Sequence, residues 1–222
     1  MTAPLIAPSI LSADFGHLAR DIRTVAEGGA DWIHVDVMDG RFVPNLTFGA
    51  NVVAAARRAC DRFVDVHLMV DQPEHYLETF AAAGAQSFTF HPEATRHPQR
   101  LLAAARALGM LAGLALNPGT PLADAEELIG DLDLLLIMTV SPGYSGQVYL
   151  PGSDDKIARA RALLDRHRSP AHLEVDGGIT TDTIGGAWRA GATVFVAGLS
   201  VFGAHDPVAA IRNLRRRCAV EV

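Results

Sequence analysis

The sequence predicts a single (β/α)8 TIM barrel, an α/β fold occupying residues 1–222 as one domain, and three observations lead to it. Short β-branched or apolar runs alternate with Ala-, Leu- and Arg-rich stretches of helical period, without a Ser-, Pro- or Gly-rich linker between rounds. Glycine recurs where helix gives way to strand, in Gly28-Gly29-Ala30, Ala83-Gly84-Ala85, Leu108-Gly109-Met110 and Ala190-Gly191-Ala192, as a left-handed helix cap requires. Eight rounds leave roughly 28 residues per unit, the small end of the range for this barrel.

In chain order, the apolar runs predict strands over residues 5–11, 32–37, 63–69, 87–91, 111–117, 134–140, 172–176 and 193–197. The stretches between them carry the helical period and predict helices over 15–27, 50–59, 73–83, 98–108, 122–129, 154–167, 181–190 and 207–218. A doubly wound open sheet would want a glycine-rich dinucleotide turn after its first strand, where this chain reads Ile10-Leu11-Ser12-Ala13-Asp14-Phe15. The barrel is therefore preferred, and with it the expectation that chemistry collects at the C-terminal ends of the strands.

Composition narrows the function. The formal charge is −6, which repels polyanions and argues against nucleic-acid or anionic-membrane partners. The one basic cluster, Arg215-Arg216-Arg217, reads as a solvated helix end. Cys60 and Cys218 are too few for a disulfide framework or a thiolate zinc site and suit a reducing compartment. Residues 1–10 lack a basic stretch and hold two prolines, so no signal peptide is expected, and no apolar run approaches the roughly 18 residues that span a bilayer. A cytoplasmic enzyme is expected. The single lysine, Lys156, falls at the start of a predicted helix away from strand ends, which disfavours Schiff-base chemistry.

The strand periodicity then places polar groups inside. In the second strand His34, Asp36 and Met38 share one face, and Val35 and Val37 the other. The valines suit packing against helices, leaving an imidazole and a carboxylate inward, where a buried charge must be paired or bound to a metal. The third strand repeats the pattern with Asp65 and His67, and the seventh ends with Glu174 and Asp176 on one side. Two histidines and two carboxylates at strand ends form a plausible N2O2 site for Zn2+, Mn2+, Fe2+ or Co2+. Hydrogen-bonded core polar residues are the competing interpretation. The other histidines, His91 among them, are expected mainly at the surface or in turns, with a minority reaching the surroundings of the site.

A second group of signals points to phosphate. Ser141-Pro142-Gly143-Tyr144-Ser145-Gly146-Gln147 after the sixth strand is too polar and glycine-rich to be packing material. Gly177-Gly178 after the seventh strand and Gly198 after the eighth add backbone donors where barrels often hold phosphate, and residues 199–202 can offer a helix start. The sum is a metal-assisted acid/base site beside a phosphate pocket, suited to abstraction of a proton next to a carbonyl.

Several long motifs in order resemble the ribulose-phosphate 3-epimerase family. They are APSILSADF (residues 7–15), HVDVMDGRFVPNLTFG (34–49), DVHLMV (65–70), HPEA (91–94), LNPGTPL (116–122), MTVSPGYSGQ (138–147) and EVDGGI (174–179). The resemblance implies a ribulose-phosphate-binding barrel interconverting D-ribulose 5-phosphate and D-xylulose 5-phosphate, a step of the pentose phosphate pathway and the Calvin cycle. It implies Asp36 and Asp176 as acid/base carboxylates on opposite faces of the substrate, and one divalent cation per subunit held by His34, Asp36, His67 and Asp176. It also implies sugar contacts from Ser9 and His67, with Met38, Met69 and Met138 on the apolar side. The phosphate would be held by Gly143, Tyr144, Ser145, Gly146, Gly177, Gly178, Gly198 and Leu199. Two positions depart from the family pattern: glycine is usual where Ser145 stands, and a small hydroxyl residue where Leu199 stands. A 3-epimerase of a related ketose phosphate such as allulose 6-phosphate is the near alternative. A metal-dependent aldolase and a non-catalytic sugar-phosphate sensor are remoter ones. A homo-oligomer is expected from the fold family.

Overall fold

Eight parallel strands form one sheet ordered β1-β8-β7-β6-β5-β4-β3-β2. They are β1 (Leu5–Pro8), β2 (Trp32–Met38), β3 (Phe63–Met69), β4 (Ser87–Phe90), β5 (Leu111–Leu116), β6 (Leu134–Met138), β7 (His172–Asp176) and β8 (Val194–Ala197). The ring closes between β1 and β2 through a parallel bridge from Ser9 to His34. The computed structural model describes residues 3–219; Met1 and Thr2, part of the segment in which no signal peptide is expected, and Val220, Glu221 and Val222 lie outside the described residues.

Around the ring run α1 (Leu18–Glu27), α2 (Ala50–Ala59), α3 (Leu77–Ala82), α4 (Pro98–Ala107), α5 (Ala123–Glu126), α6 (Ser153–Arg166), α7 (Ile184–Arg189), α8 (Leu199–Phe202) and α9 (Pro207–Ala219). No helix among the described residues is long and apolar enough to cross a membrane. Each strand turns alternate residues toward the helices. Val35, Val64, Val66, Phe88, Phe90, Leu114, Leu135, Leu173 and Phe195 are buried in that outer core. Full burial of such side chains contributes about 1.5–3 kcal/mol apiece. The remaining residues fill the barrel interior, where Trp32, Leu134, Leu136, Val194 and Val196 form a smaller apolar plug.

Several boundaries differ from the expected ones for local reasons. The first strand stops at Pro8, because Ser9 caps a short 3-10 turn (Ile10–Ser12), its Oγ accepting the Leu11 N–H. The expected helix 15–27 begins instead with a 3-10 turn (Phe15–His17) capped by Asp14. Gln72 takes a positive φ of 52°, and the segment after it opens as a 3-10 turn before α3. The expected helix 122–129 is reduced to α5 followed by a 3-10 turn (Ile129–Asp131). Residues 181–183 stay outside α7 because Thr183 Oγ1 accepts the Thr180 N–H at 2.9 Å and donates to the Gly178 carbonyl at 2.9 Å, holding a local turn. The helix-to-strand glycines behave as expected, with Gly29, Gly84, Gly109 and Gly191 all at positive φ.

Two readings of charge need correction. The end of α9 is not merely solvated: Arg215 donates to the Gly29 carbonyl and to Asp31, and Arg217 Nε donates to the Thr181 carbonyl at 2.8 Å. Lys156 is buried, and its Nζ donates to the carbonyls of Asn117, Pro118 and Thr120 in the loop after β5. It reaches the C-terminal end of the barrel from α6, which a position early in a helix did not suggest.

Candidate active site

The register of β2 against β3 pairs His34 with Asp65 and Asp36 with His67, so the inward residues of both strands meet in two rows. The β6–β7–β8 register sets Asp176 beside Met138 and Val196 in the upper row, and Glu174 beside Leu136 and Val194 below it. His34, Asp65, His67 and Glu174 are completely buried, whereas the Asp176 side chain keeps 17% of its exposure. The upper row is therefore open to solvent on the β7 side.

Asp36 is the hub. Its Oδ1 lies 3.2 Å from His34 Nε2 and 3.2 Å from His67 Nδ1, and its Oδ2 accepts from Ser9 Oγ at 2.6 Å. Asp176 Oδ2 is 3.9 Å from His67 Nδ1. One ligand atom from each of His34, Asp36, His67 and Asp176 lies within 4.8 Å of all the others. Ligands about 2.0–2.1 Å from a tetrahedral ion sit about 3.3 Å apart, so the 3.2 Å separations around Asp36 suit a cation held among these four groups. Deeper in the barrel, Asp65 Oδ2 accepts from His34 Nδ1 at 2.6 Å and its Oδ1 accepts from Ser87 Oγ. That bond leaves His34 Nε2 as the nitrogen facing Asp36, the arrangement by which a carboxylate orients a ligand histidine.

The electrostatics divide the two upper carboxylates. Burial works against a charged Asp36, but the neighbouring His34 and the hydrogen bonds with both imidazoles hold it below the usual carboxylate range. Burial and the negative charge of Asp36 push Asp176 up to about 7. Burial opposes a charged His34 as well, yet Asp36 and Asp65 raise it well above the ordinary histidine value. Glu174 is raised well above its usual range by burial and by Asp65. Two carboxylates held apart in this way can serve as base and acid at one pH.

Above this row opens a cavity of about 260 Å3, lined by Ser9, Asp36, Met38, Met69, Met138 and Asp176 and by the loops after β6, β7 and β8. Of the residues anticipated to touch substrate, Ser9, Gly143, Tyr144, Ser145, Gly146, Asp176, Gly177, Gly178, Gly198 and Leu199 all line it. His67, also anticipated to touch the sugar, does not; like His34, expected only as a metal ligand, it stands buried behind the wall. Glycine is obligatory at the β7 end of the cavity. A Cβ on Gly177 would meet Val140 Cγ2 at 2.5 Å and one on Gly178 would meet Tyr149 N at 2.4 Å, and both residues have positive φ. Thr139 holds the same turn through hydrogen bonds from its Oγ1 to the Asp176 and Gly177 carbonyls.

The sequence matches the model of the Ribulose-phosphate 3 epimerase family over residues 5–202. The chain belongs to the ribulose-phosphate 3-epimerase family. It is 47% identical to a ribulose-phosphate 3-epimerase of Mycobacterium bovis over 214 residues, covering 96% of this chain and 93% of that one. A Synechocystis ribulose-phosphate 3-epimerase is 46% identical over 96% of this chain and 94% of its own length. One from Candida glabrata is 41% identical over 100% of this chain and 95% of its own. Among solved structures, 3-hexulose-6-phosphate synthase superposes with a TM-score of 0.71 at 24% identity, covering 96% of this chain and 99% of the other. KGPDC from Streptococcus mutans superposes with a TM-score of 0.73 at 16% identity, each chain covered to 99%. These two likenesses establish the barrel fold.

Two further residues join the site in this member of the epimerase family. Ser12, in the turn after β1, places its Oγ 2.6 Å from Ser145 Oγ and so joins the first loop to the sixth. His91 is fully buried with its Nε2 2.9 Å from His67 Nε2, against the expectation of a surface or turn position. Parity was the available signal, since His91 falls two residues beyond Thr89 and four beyond Ser87 on the inward face of β4.

Proposed function

We propose that this chain interconverts D-ribulose 5-phosphate and D-xylulose 5-phosphate by moving the proton at C3 through an enediolate. The observation that carries the reading is the pair Asp36 and Asp176, which reach one cavity from β2 and β7 with environments that oppose each other. Inversion needs a proton removed from one face of a planar intermediate and returned to the other. One carboxylate on each face meets that need, and the split in proton affinity lets one accept while the other donates. Ser9 holds the hub carboxylate through its 2.6 Å hydrogen bond, and Met38, Met69 and Met138 give the enediolate a dry, apolar side. The Ser145 loop, the Gly177-Gly178 turn and the backbone of Gly198 and Leu199 would hold the phosphate through N–H groups.

His34, Asp36, His67 and Asp176 would hold one divalent cation, Zn2+, Mn2+, Fe2+ or Co2+, as their donor set and spacing suit. Such an ion supplies Lewis-acid stabilisation of negative charge on the substrate oxygens. The reading includes one catalytic domain, a small-molecule ketose phosphate as partner, a cytoplasmic setting consistent with the free Cys60 and Cys218, and a homo-oligomer, the common state for soluble enzymes of this type.

A second reading, 3-epimerisation of a related ketose phosphate such as allulose 6-phosphate, is favoured by one feature: Leu199 projects at the phosphate end with 57% of its surface exposed. The discriminating experiment is proton NMR of D-ribulose 5-phosphate with metal-replete enzyme in D2O. Conversion to xylulose 5-phosphate with deuterium at C3 is the expected result. Absence of exchange by folded, metal-bound protein, with exchange on the six-carbon ketose phosphate, would transfer the assignment to the second reading. Release of an aldehyde would indicate an aldolase instead.

A further inference from the structure

His91 has no part in the epimerisation proposed above, yet it is one of the most enclosed polar groups of the barrel. It is fully buried just past β4, with its ring 5.1 Å from that of His67 and covered by Phe42 at 4.9 Å. Its Nε2 lies 2.9 Å from His67 Nε2. Its Nδ1 has no hydrogen-bond partner among the described residues and faces Glu93, whose Oε2 is 3.9 Å away. Glu93 is itself fixed, accepting from Asn117 Nδ2 at 3.0 Å and from Thr120 Oγ1.

Two ring nitrogens at that distance share one proton, and the position of the cation site decides which ring owns it. His67 turns Nδ1 toward Asp36 Oδ1 at 3.2 Å and Asp176 Oδ2 at 3.9 Å, so Nδ1 is the atom available to a metal. A ligating nitrogen must be free of its proton, which places the ring proton of His67 on Nε2. Nε2–H then donates to His91 Nε2, and His91 must carry its own proton on Nδ1, on the Glu93 side. We propose that His91 is a positioning residue: as the buried acceptor for His67 Nε2–H, it fixes the tautomer of His67 that presents Nδ1 to a divalent cation. The inference rests on the cation site described above and assigns one of the groups that orient its ligands.

The test measures Co2+ and Zn2+ binding by chelator competition for the wild-type chain, His91→Phe and His91→Gln. Phe keeps the ring volume and removes the acceptor; the Gln amide oxygen restores an acceptor near the place of Nε2. Loss of an orienting partner of this kind weakens metal binding roughly 10- to 100-fold, the result expected for His91→Phe. His91→Gln should recover affinity to within about threefold of wild type, with the Co2+ visible spectrum of the wild-type protein. Equal affinity for Phe and wild type would overturn the proposal, as would Gln binding no better than Phe. If His91→Phe does not fold, long-range 1H–15N NMR of the Zn2+-loaded wild-type chain decides instead. Protons on His67 Nε2 and His91 Nδ1 are expected, and the reverse tautomers would overturn the assignment. Failure of the wild-type chain to bind either ion would remove the metal reading itself, an outcome distinct from tight binding that ignores His91.

Discussion

The two ends of the barrel are built on different plans. At the N-terminal end one device recurs at alternate joints: the residue before an even-numbered strand accepts an N–H from the preceding strand. Asp31 accepts from Ile6 N at 2.8 Å, Gln86 from Val64 N at 2.9 Å, Asp133 from Ala112 N at 3.0 Å and Thr193 from Leu173 N at 3.0 Å. Three of these acceptors are also gripped by an arginine from a helix, Arg215 on Asp31, Arg57 on Gln86 and Arg106 on Asp133. At the C-terminal end no such device recurs among the described residues. Each loop there has its own chemistry: Ser12 and Ser145 meet across the mouth, Gly177 and Gly178 turn under Val140 and Tyr149, and Lys156 holds the loop after β5. One end repeats a solution to a backbone problem, while the other varies from loop to loop, and its loops after β1, β6, β7 and β8 line the cavity.

That contrast is broken most severely at the open end. Asp176→Asn keeps the shape of the side chain and removes its proton exchange, so kcat should fall by about 10^2- to 10^4-fold with little change in melting temperature. Steady-state turnover beside a thermal melt checks it; retention of wild-type turnover would refute the two-carboxylate scheme. At the closed end the effects should exchange places. Asp133→Ala removes the acceptor for Ala112 N and both contacts of Arg106, and should cost about 1–3 kcal/mol of unfolding free energy by urea titration. Turnover of the folded variant should stay at the wild-type level, because Asp133 lies at the opposite end of the strands from the cavity.

The same contrast explains what could be read from the chain in advance. The eight strands, and His34, Asp36, His67 and Asp176 on inward faces, follow from a period of two, because neighbours on a strand must face opposite ways. The Gly-rich loops are legible because positive φ and close approach leave few other residues possible there. His91 was legible only in part: parity along the expected strand 87–91 carries it inward with Ser87 and Thr89, but its contact with His67 depends on register between two strands. Arg215 was hidden for a related reason. Its partner Asp31 is 184 residues away in sequence, and only closure of the ring brings the end of α9 beneath the first two strands. Lys156 reaches the active end because α6 begins there, and nothing local to Lys156 reports the carbonyls that collect around its ammonium.

The smallest expected effect tests whether the closed end contributes to the acid sensitivity of the fold. Burial opposes the charged form of Asp133, but the hydrogen bond from Arg106 and the N–H of Ala112 together hold its carboxyl below the usual value. The folded state therefore binds its proton less readily than the unfolded chain, whose carboxyl titrates near about 3.9. Stability from this difference is fully present above that pH and is lost as pH falls through the lower, folded-state value. Because the group is partly exposed, the contribution should be no more than about 1 kcal/mol. Asp133→Asn retains an acceptor for Ala112 N and removes the titration. The stability gap between wild type and Asp133→Asn, measured by urea unfolding, should be constant from about pH 6 to 8 and should narrow below about pH 4. A gap that widens in acid would mean that the carboxylate is not the form the folded barrel selects, and Arg106 would then be holding its neighbour through shape rather than charge.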